Sequence, residues 1–288
     1  MSKLFQTTVK ENKQLSETHY LITLHPLKKI TKPKPGQFFM LSVNNRLDPL
    51  LKRPFSFHRQ RGQDFQLLYR TVGKATNVLK RKKPGDILEV VGPLGNGFPP
   101  VNKKMNPILI AGGLGVAPLV ALAESIIQQS QIPLSFGTSQ SRPSLSKVGT
   151  TRFRRECGDF KPIFFIGAKT KKELLCVNNL KSIGIMPIIS TDDGTSGQKG
   201  LITDVLREFL TRHPSPVTRY CLYACGPKTM LKEISLTAKK YGIKGYMALE
   251  ENMACGIGAC LSCVVNTKDG FKRICKEGPV FPIEEIVW

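Results

Sequence analysis

No window of this chain approaches the roughly 18 uninterrupted apolar residues a membrane span requires. The opening segment MSKLFQTTVKENKQ has no apolar stretch of signal-peptide length either, so a cytoplasmic location is the expectation. Acidic residues are scarce: 21 Asp and Glu stand against 43 Lys and Arg, a formal net charge of +22. Such an excess raises nucleic acid as a partner. The aromatic platform or zinc-finger pattern that would go with it is missing, and the basic residues are scattered, at Lys28/Lys29, Lys80 to Lys83, Lys169 to Lys172 and Lys239/Lys240. A positive surface that draws dinucleotide phosphates or an acidic partner protein explains them as well. His19, His25, His58 and His213 form no metal or triad spacing. A disulfide framework is also lacking, because Cys255, Cys260, Cys263 and Cys275 crowd together at metal-ligand spacing in a chain without an export signal.

What is there points to a folded protein. Apolar residues make up 41% and charged residues 22%, with Gly and Pro spread along the chain, and 288 residues suit two domains plus a small appendage. Residues 1–101 read as short alternating strands separated by Pro, Gly and charged turns (FQTTVKENK, HYLITLHPL, GQFFMLSV, FSFHR, FQLLYRTV, DILEVVGPL), the signature of a small antiparallel barrel. From residue 102 to 240 the pattern changes. The apolar strand PILIAGG runs through a glycine loop into the helix APLVALAESIIQQ, with Pro118 suited to its first turn. Strand PIFFIGA and helix KKELLCVNNLKSI follow, then MPIIST and LITDVLREFL, then YCLYACG and KTMLKEISLTAKKYG. This alternation predicts a parallel sheet with a ligand crevice at the strand carboxyl ends. The polar stretch 137–160 reads as an inserted surface loop, and residues 241–288 have too few apolar residues for a core of their own and are expected to fold around a metal.

Cys255-x4-Cys260-x2-Cys263-x11-Cys275 has the first-three-ligand spacing of a plant-type 2Fe-2S site, the fourth cysteine arriving from a later strand or turn. Gly256 and Gly258 suit a loop that wraps closely and turns its N–H groups toward sulfur. A structural zinc site is the alternative, although two Cys-x2-Cys pairs are its more usual form. Cys157, Cys176 and Cys221 read as ordinary thiols. In Arg53-Pro54-Phe55-Ser56, at the start of a barrel strand, a guanidinium and a hydroxyl can reach a pyrophosphate or the polar edge of a flavin. An Arg and a Ser on an exposed strand face are also commonplace. Leu68-Tyr69-Arg70 and Gly73-Lys74-Ala75-Thr76, before the helical NVLKRK, extend that candidate site.

Gly112-Gly113-Leu114-Gly115-Val116-Ala117-Pro118 departs from the G-x-G-x-x-G fingerprint, because Pro118 takes the last glycine place. It reads as a bare strand-to-helix turn or as a nucleotide loop. Thr191-Asp192-Asp193-Gly194 and Ala224-Cys225-Gly226-Pro227 favour the second, since all three follow predicted strands where a parallel sheet gathers its ligand. Asp192 and Asp193 read equally as ribose contacts or turn formers, and Cys225 as a small residue packed beneath a turn. No side chain is assigned a catalytic acid or base role.

The Arg53–Ser56 stretch resembles the Arg-x-x-Ser signature of ferredoxin-reductase-like flavoproteins, and residues 112–118 resemble the GGxGxAP loop of their nucleotide domain. In that family the segment matching Leu68–Arg70 flanks the isoalloxazine, and the one matching Gly73–Thr76 sets backbone amides at a helix start against the flavin phosphate. Ala75 stands where Gly is common. The CGP loop, here Cys225, Gly226 and Pro227, faces the nicotinamide.

Barrel, nucleotide sheet and trailing cluster in that order, with LEENMACGIGACLSC, RICKEGPVF, STDDG and ACGP, are similar to the electron transfer subunits of the two-protein, NAD-linked dihydroorotate dehydrogenases of pyrimidine biosynthesis. The likeness covers nearly the whole chain apart from 137–160. It implies an FAD-binding barrel (1–101), an NAD-binding α/β domain (102–240) and a 2Fe-2S segment (241–288) near a docking face. It also implies a catalytic partner, carrying FMN and oxidising dihydroorotate to orotate, in a heterotetramer. Nicotinamide exchanges two electrons as hydride and a 2Fe-2S cluster one, so the flavin stands between them. Electrons would run from dihydroorotate through FMN, the cluster and FAD to NAD. Small subunits of NAD(P)H-ferredoxin, sulfide or hydrogenase systems share this order and are the alternative. A colourless, zinc-stapled basic module that binds nucleic acid with salt-sensitive affinity is the alternative of another class.

Overall fold

The computed structural model describes residues 3–44, 48–131, 161–213 and 219–288. The stretch 137–160, with Cys157, lies outside them. Strands β1 (Lys3–Gln14), β2 (His19–Pro26), β3 (Phe38–Ser42), β4 (Arg53–Arg61), β5 (Asp64–Arg70) and β6 (Ile87–Leu94) close into an antiparallel barrel in the order β1-β2-β5-β4-β3-β6. Alternate side chains point inward, as the period of two requires. Ile22 and Leu24, Phe39 and Leu41, and Phe65 and Leu67 are buried, Phe39 stacks on Phe65 at 4.4 Å, and Phe5 meets both edge-on. Helix α1 (Lys74–Leu79) plugs one end with Ala75 and Leu79. It begins three residues before the expected NVLKRK, because Thr76 Oγ1 accepts from the N–H groups of Val72 and Gly73 and fixes the first turn there.

The second layer system holds β7 (Asn106–Gly112), α2 (Val116–Gln131), β8 (Ile163–Ala168), α3 (Val177–Ser182), β9 (Ile188–Thr191), β10 (Gln198–Lys199), α4 (Ile202–Arg212), β11 (Tyr220–Cys225), α5 (Lys228–Tyr241) and β12 (Lys244–Ala248). The chain ends with the hairpin β13 (Val264–Thr267) and β14 (Gly270–Arg273), then β15 (Val280–Pro282). The sheet runs β10-β9-β8-β7-β11-β12-β15, parallel except for the antiparallel edge strand β15. Along β7, Ile108 and Ile110 face α4 and α5, whereas Leu109 and Ala111 face α2, so one apolar strand feeds two cores.

Two expectations change. The helix expected over KKELLCVNNLKSI is broken into a 3-10 turn at Lys171–Glu173 and the short α3, because Leu174 is extended and Cys176 adopts a left-handed φ of 61°. Buried Leu175 sits at that break. The segment after residue 241 also does more than wrap a metal: β12 and β15 join the sheet, and Cys263, Ile274, Cys275, Phe281 and Ile283 share the core of Ile108 and Leu222. A segment too short for its own core borrows one.

Barrel and sheet are interlocked through α2. His58 on β4 is buried and hydrogen-bonds the Ala117 carbonyl at 3.1 Å, while Arg59 pairs with Glu124. Burial holds the His58 imidazole down to about 4. A histidine with a lowered folded pKa leaves stability complete above the unfolded value near 6.5 and loses it as pH falls toward the folded value. Between pH 7 and 5 the loss from His58 is about 2 kcal/mol. Urea unfolding of the protein and of His58→Asn at both pH values checks this: the variant should lose less over that interval, and an equal loss in both refutes the assignment.

Candidate functional site

The first cavity, about 380 Å³, opens where the barrel faces α2 and the strand ends of the sheet. Its wall contains Arg53, Pro54, Phe55 and Ser56 of β4, Leu68, Tyr69 and Arg70 of β5, and the turn from Val72 to Thr76. These segments meet because β4 and β5 are antiparallel neighbours and α1 follows β5 directly. Arg53 Nη1 donates to the Leu51 carbonyl at 2.7 Å, which holds the guanidinium at the rim. The Tyr69 hydroxyl donates to Asn12 Oδ1 at 3.0 Å, and its ring stacks on Tyr20. Burial pushes that hydroxyl's pKa up, so Tyr69 offers the cavity a ring and not an acid. Lys74 pairs with Asp48.

The second cavity, about 490 Å³, lies at the carboxyl ends of β7 and β11. Parallel pairing of these strands brings Gly112–Gly115 beside Gly226 and Pro227, and all but Cys225 of the expected residues of these two loops line the cavity. Gly115 permits the contact: a Cβ there would stand 2.1 Å from the Cys225 carbonyl oxygen. Cys225 itself is buried beneath the turn and on neither cavity wall, and burial raises its thiol pKa well above the ordinary value. Asp192 and Asp193 also line neither cavity. They are exposed, and Asp193 Oδ1 accepts from the Thr195 N–H and hydroxyl, the arrangement of a turn former.

Arg70, Leu114, Leu249, Glu250 and Glu251 line both cavities, which are therefore contiguous. Arg70 was expected and Leu114 lies in the expected glycine loop, whereas Leu249, Glu250 and Glu251 were not assigned to a site from the sequence. Leu249–Glu251 follow β12, so the rule that marks Gly112 and Gly226 would have marked them had KGYMA been read as a strand.

The cysteines lie beyond the first cavity. Gly256 and Gly258 take left-handed φ values of 71° and 87°. The resulting loop points the N–H groups of Ile257, Ala259 and Cys260 at Cys255 Sγ, at 3.4, 3.3 and 3.5 Å. Cys260 Sγ lies 3.2 Å from the Ser262 hydroxyl. Cys263 and Cys275 are buried, joined by the Ile274 N–H to Cys263 carbonyl bond of 2.9 Å. Cys255 neighbours Cys260 and Cys263 neighbours Cys275, and Cys275 also lies near enough to feel Cys255 and the Gly258 backbone, so the two pairs face each other. Among the described residues no three His, Cys, Asp or Glu side chains converge on one metal ion. Two pairs rather than one tetrahedron, with amides aimed at a sulfur, fit a binuclear iron-sulfur cluster better than a single zinc. Met253 and Pro279 carry this segment to the wall of the first cavity, and a Cβ on Gly256 would touch Met40, paired with Pro54 in the barrel.

Comparison with known proteins bears on this arrangement. Residues 250–287 match the iron-sulfur cluster binding domain of dihydroorotate dehydrogenase B, and residues 109–235 match the oxidoreductase NAD-binding domain. The chain is 32% identical over 296 residues to the dihydroorotate dehydrogenase B (NAD(+)) electron transfer subunit of Desulforamulus reducens, covering 100% of each. It is 35% identical to the corresponding homolog of Aquifex aeolicus, covering 97% of this chain and 96% of that one. Among solved structures it superposes on an NADH-dependent reduced ferredoxin-NADP oxidoreductase with a TM-score of 0.77 at 26% identity, over 98% of this chain and 90% of that one. A ferredoxin NADP+ reductase from Neisseria gonorrhoeae with bound FAD and NADP, 14% identical, shares the fold at a TM-score of 0.63 over 88% and 95% of the two chains.

Proposed function

The chain belongs to the family of dihydroorotate dehydrogenase B electron transfer subunits, and on that premise we propose how its parts divide the work. Residues 1–101 bind FAD, 102–240 bind NAD and 241–288 hold a 2Fe-2S cluster. The last two share one sheet. The contiguity of the two cavities through Arg70, Leu114, Leu249, Glu250 and Glu251 carries the reading, because hydride passes only between rings in contact. A flavin held by the wall of the first cavity would supply the exchange between two-electron nicotinamide chemistry and one-electron cluster chemistry.

The chain's own residues position and shield. Arg53 supplies a charge for an anionic flavin group, Phe55 and Tyr69 supply apolar and aromatic wall, and Leu114 and Leu249 keep water from the junction. Gly112, Gly113, Gly115, Gly226 and Pro227 let the dinucleotide approach the backbone, and Cys255, Cys260, Cys263 and Cys275 ligate iron. The partner is the catalytic subunit of the same enzyme. That it carries FMN, assembles with this chain as a heterotetramer and works in the cytoplasm is part of the proposal. Among the described residues no helix is long and apolar enough to cross a membrane.

The reconstituted pair is expected to reduce NAD in a dihydroorotate-dependent reaction that neither protein performs alone. A pair that forms yet leaves NAD oxidised, with flavin and iron present, rules the reading out. Arg53→Ala should weaken flavin retention by roughly 1.5 to 3 kcal/mol, one charge-assisted bond. Flavin stoichiometry after dialysis measures it, and full retention contradicts the assignment.

A further inference from the structure

The turn that delivers the fourth cysteine contains a charged pair, Arg273 and Glu277, that lies on neither the flavin nor the dinucleotide wall. The Glu277 carboxylate takes the Arg273 Nε at 3.0 Å, its Nη2, and the Arg273 backbone N–H at 2.8 Å. Both carboxylate oxygens are thereby committed to Arg273, and the remaining guanidinium nitrogen, Nη1, donates at 2.8 Å to the carbonyl of Gly258. Gly258 lies in the loop between Cys255 and Cys260. A trans peptide unit points its carbonyl and its N–H in opposite directions. With the Gly258 carbonyl drawn toward Arg273, the Ala259 N–H of the same unit is turned away from it, and it lies 3.3 Å from Cys255 Sγ.

We propose that Arg273 is a positioning residue for the cluster: through the Gly258–Ala259 peptide unit it holds and polarises an N–H bond to the Cys255 sulfur, and so raises the reduction potential of the bound cluster. The inference rests on the reading of the cysteines as cluster ligands. Hydrogen bonds to ligand sulfur stabilise the more negative, reduced state and move the potential upward. A donor at the far end of the peptide unit strengthens the bond at the near end, as in any hydrogen-bonded chain. The guanidinium also acts through space on Cys263 and Cys275, a charge that its pairing with Glu277 offsets, and its bond to Gly258 is the route by which it reaches Cys255. Cys255 also accepts from Ile257 and Cys260. The Ala259 bond is the one with a side-chain donor on the opposite end of its peptide unit. The Arg273 Nη1 bond to the Gly258 carbonyl ties the turn carrying Cys275 to the loop carrying Cys255 and Cys260, so one side chain sets both electronics and the separation of ligand loops.

The test is a redox titration of the intact two-subunit complex, following the reduced cluster by its paramagnetic signal and the flavins by absorbance. Arg273→Met is expected to keep iron and flavin while its cluster equilibrium shifts about tenfold toward the oxidised form, a fall of about 59 mV for one electron. The double variant Arg273→Met/Glu277→Gln, which removes the pair without changing the net charge, should fall in the same direction. Lys276→Met removes an exposed charge that touches Gly258 only through its aliphatic stem, and should leave the potential in place. An unmoved potential in Arg273→Met, or an equal fall in Lys276→Met, overturns the proposal. Should Arg273→Met fail to hold iron, Arg273→Lys, which keeps the charge and loses the forked geometry, decides: a wild-type potential overturns it, and a lowered one supports it. A wild-type complex without the cluster would instead refute the ligand reading beneath it.

Discussion

Cys260→Ala is expected to yield a protein that has lost its iron and sulfide but retains its flavin. Cys260 is the most exposed of the cluster cysteines, and its thiol is held low, to about 6, by the Ser262 hydroxyl and main chain and by neighbouring Cys255 groups. Removing it leaves Cys255 alone in the outer pair, and a cluster iron cannot keep its coordination with one thiolate. None of the cysteines lines the first cavity, and half of its wall comes from β4, β5 and α1, with the C-terminal segment reaching it through Leu249–Glu251, Met253 and Pro279. The inner pair is part of the sheet's core, so the fold survives. Iron, sulfide and flavin analysis of anaerobically purified protein reads all three at once. Cys260→Ser is the conservative companion, since a serine oxygen is a poorer ligand than sulfur. A variant that keeps its cluster and still passes electrons to NAD at the full rate would show that Cys260 is not a ligand.

The second large effect concerns Gly115. Its neighbour across the two loops is backbone: an added Cβ would meet the Cys225 carbonyl oxygen at 2.1 Å, the Cys225 carbonyl carbon at 2.3 Å and the Gly226 nitrogen at 2.7 Å. Backbone cannot rotate away as a side-chain end can, so Gly115→Ala must force the two nucleotide loops apart. A displacement on the order of 1 Å at a site that aligns reacting rings costs about 100-fold in rate. Reduction of the flavin by NADH should slow by that factor while iron and flavin contents stay normal. Gly226→Ala is the comparison. Its Cβ would meet the flexible end of Met230 at 2.4 Å and the Gly112 backbone only at 3.0 and 3.1 Å, and a smaller loss is expected. Stopped-flow reduction of the two variants gives the ranking, and a Gly115→Ala rate within twofold of the native one sinks the argument.

Both predictions depend on features of different legibility. The proposed cluster ligands stand out in the chain because Cys255, Cys260 and Cys263 fall within nine consecutive positions, within reach of one loop whatever the rest of the fold does. The change from period-two strands to strand-loop-helix units near residue 107 was likewise local. So was the placing of Arg53–Ser56 and Leu68–Arg70 on strands, and the structure brings both to one cavity. Local patterns misled where local competition was close: the helix over KKELLCVNNLKSI broke at Leu174 to Cys176, where apolar side chains turn into the core.

The sequence by itself determined the chemistry available: the four cysteines at ligand spacing, the glycines that allow backbone contact, and the order of barrel, sheet and cysteine segment. These are matters of spacing over a few residues, where chain connectivity leaves little freedom. Only the tertiary structure decided which of these meet. The strand order put β7 beside β11 and β12, so Gly115 rests on Cys225 and Leu249–Glu251 reach the junction, while Asp192 and Asp193, after β9, stay outside both cavities. Pairing across long sequence separations follows from burial summed over whole faces, and no short window of residues contains that sum.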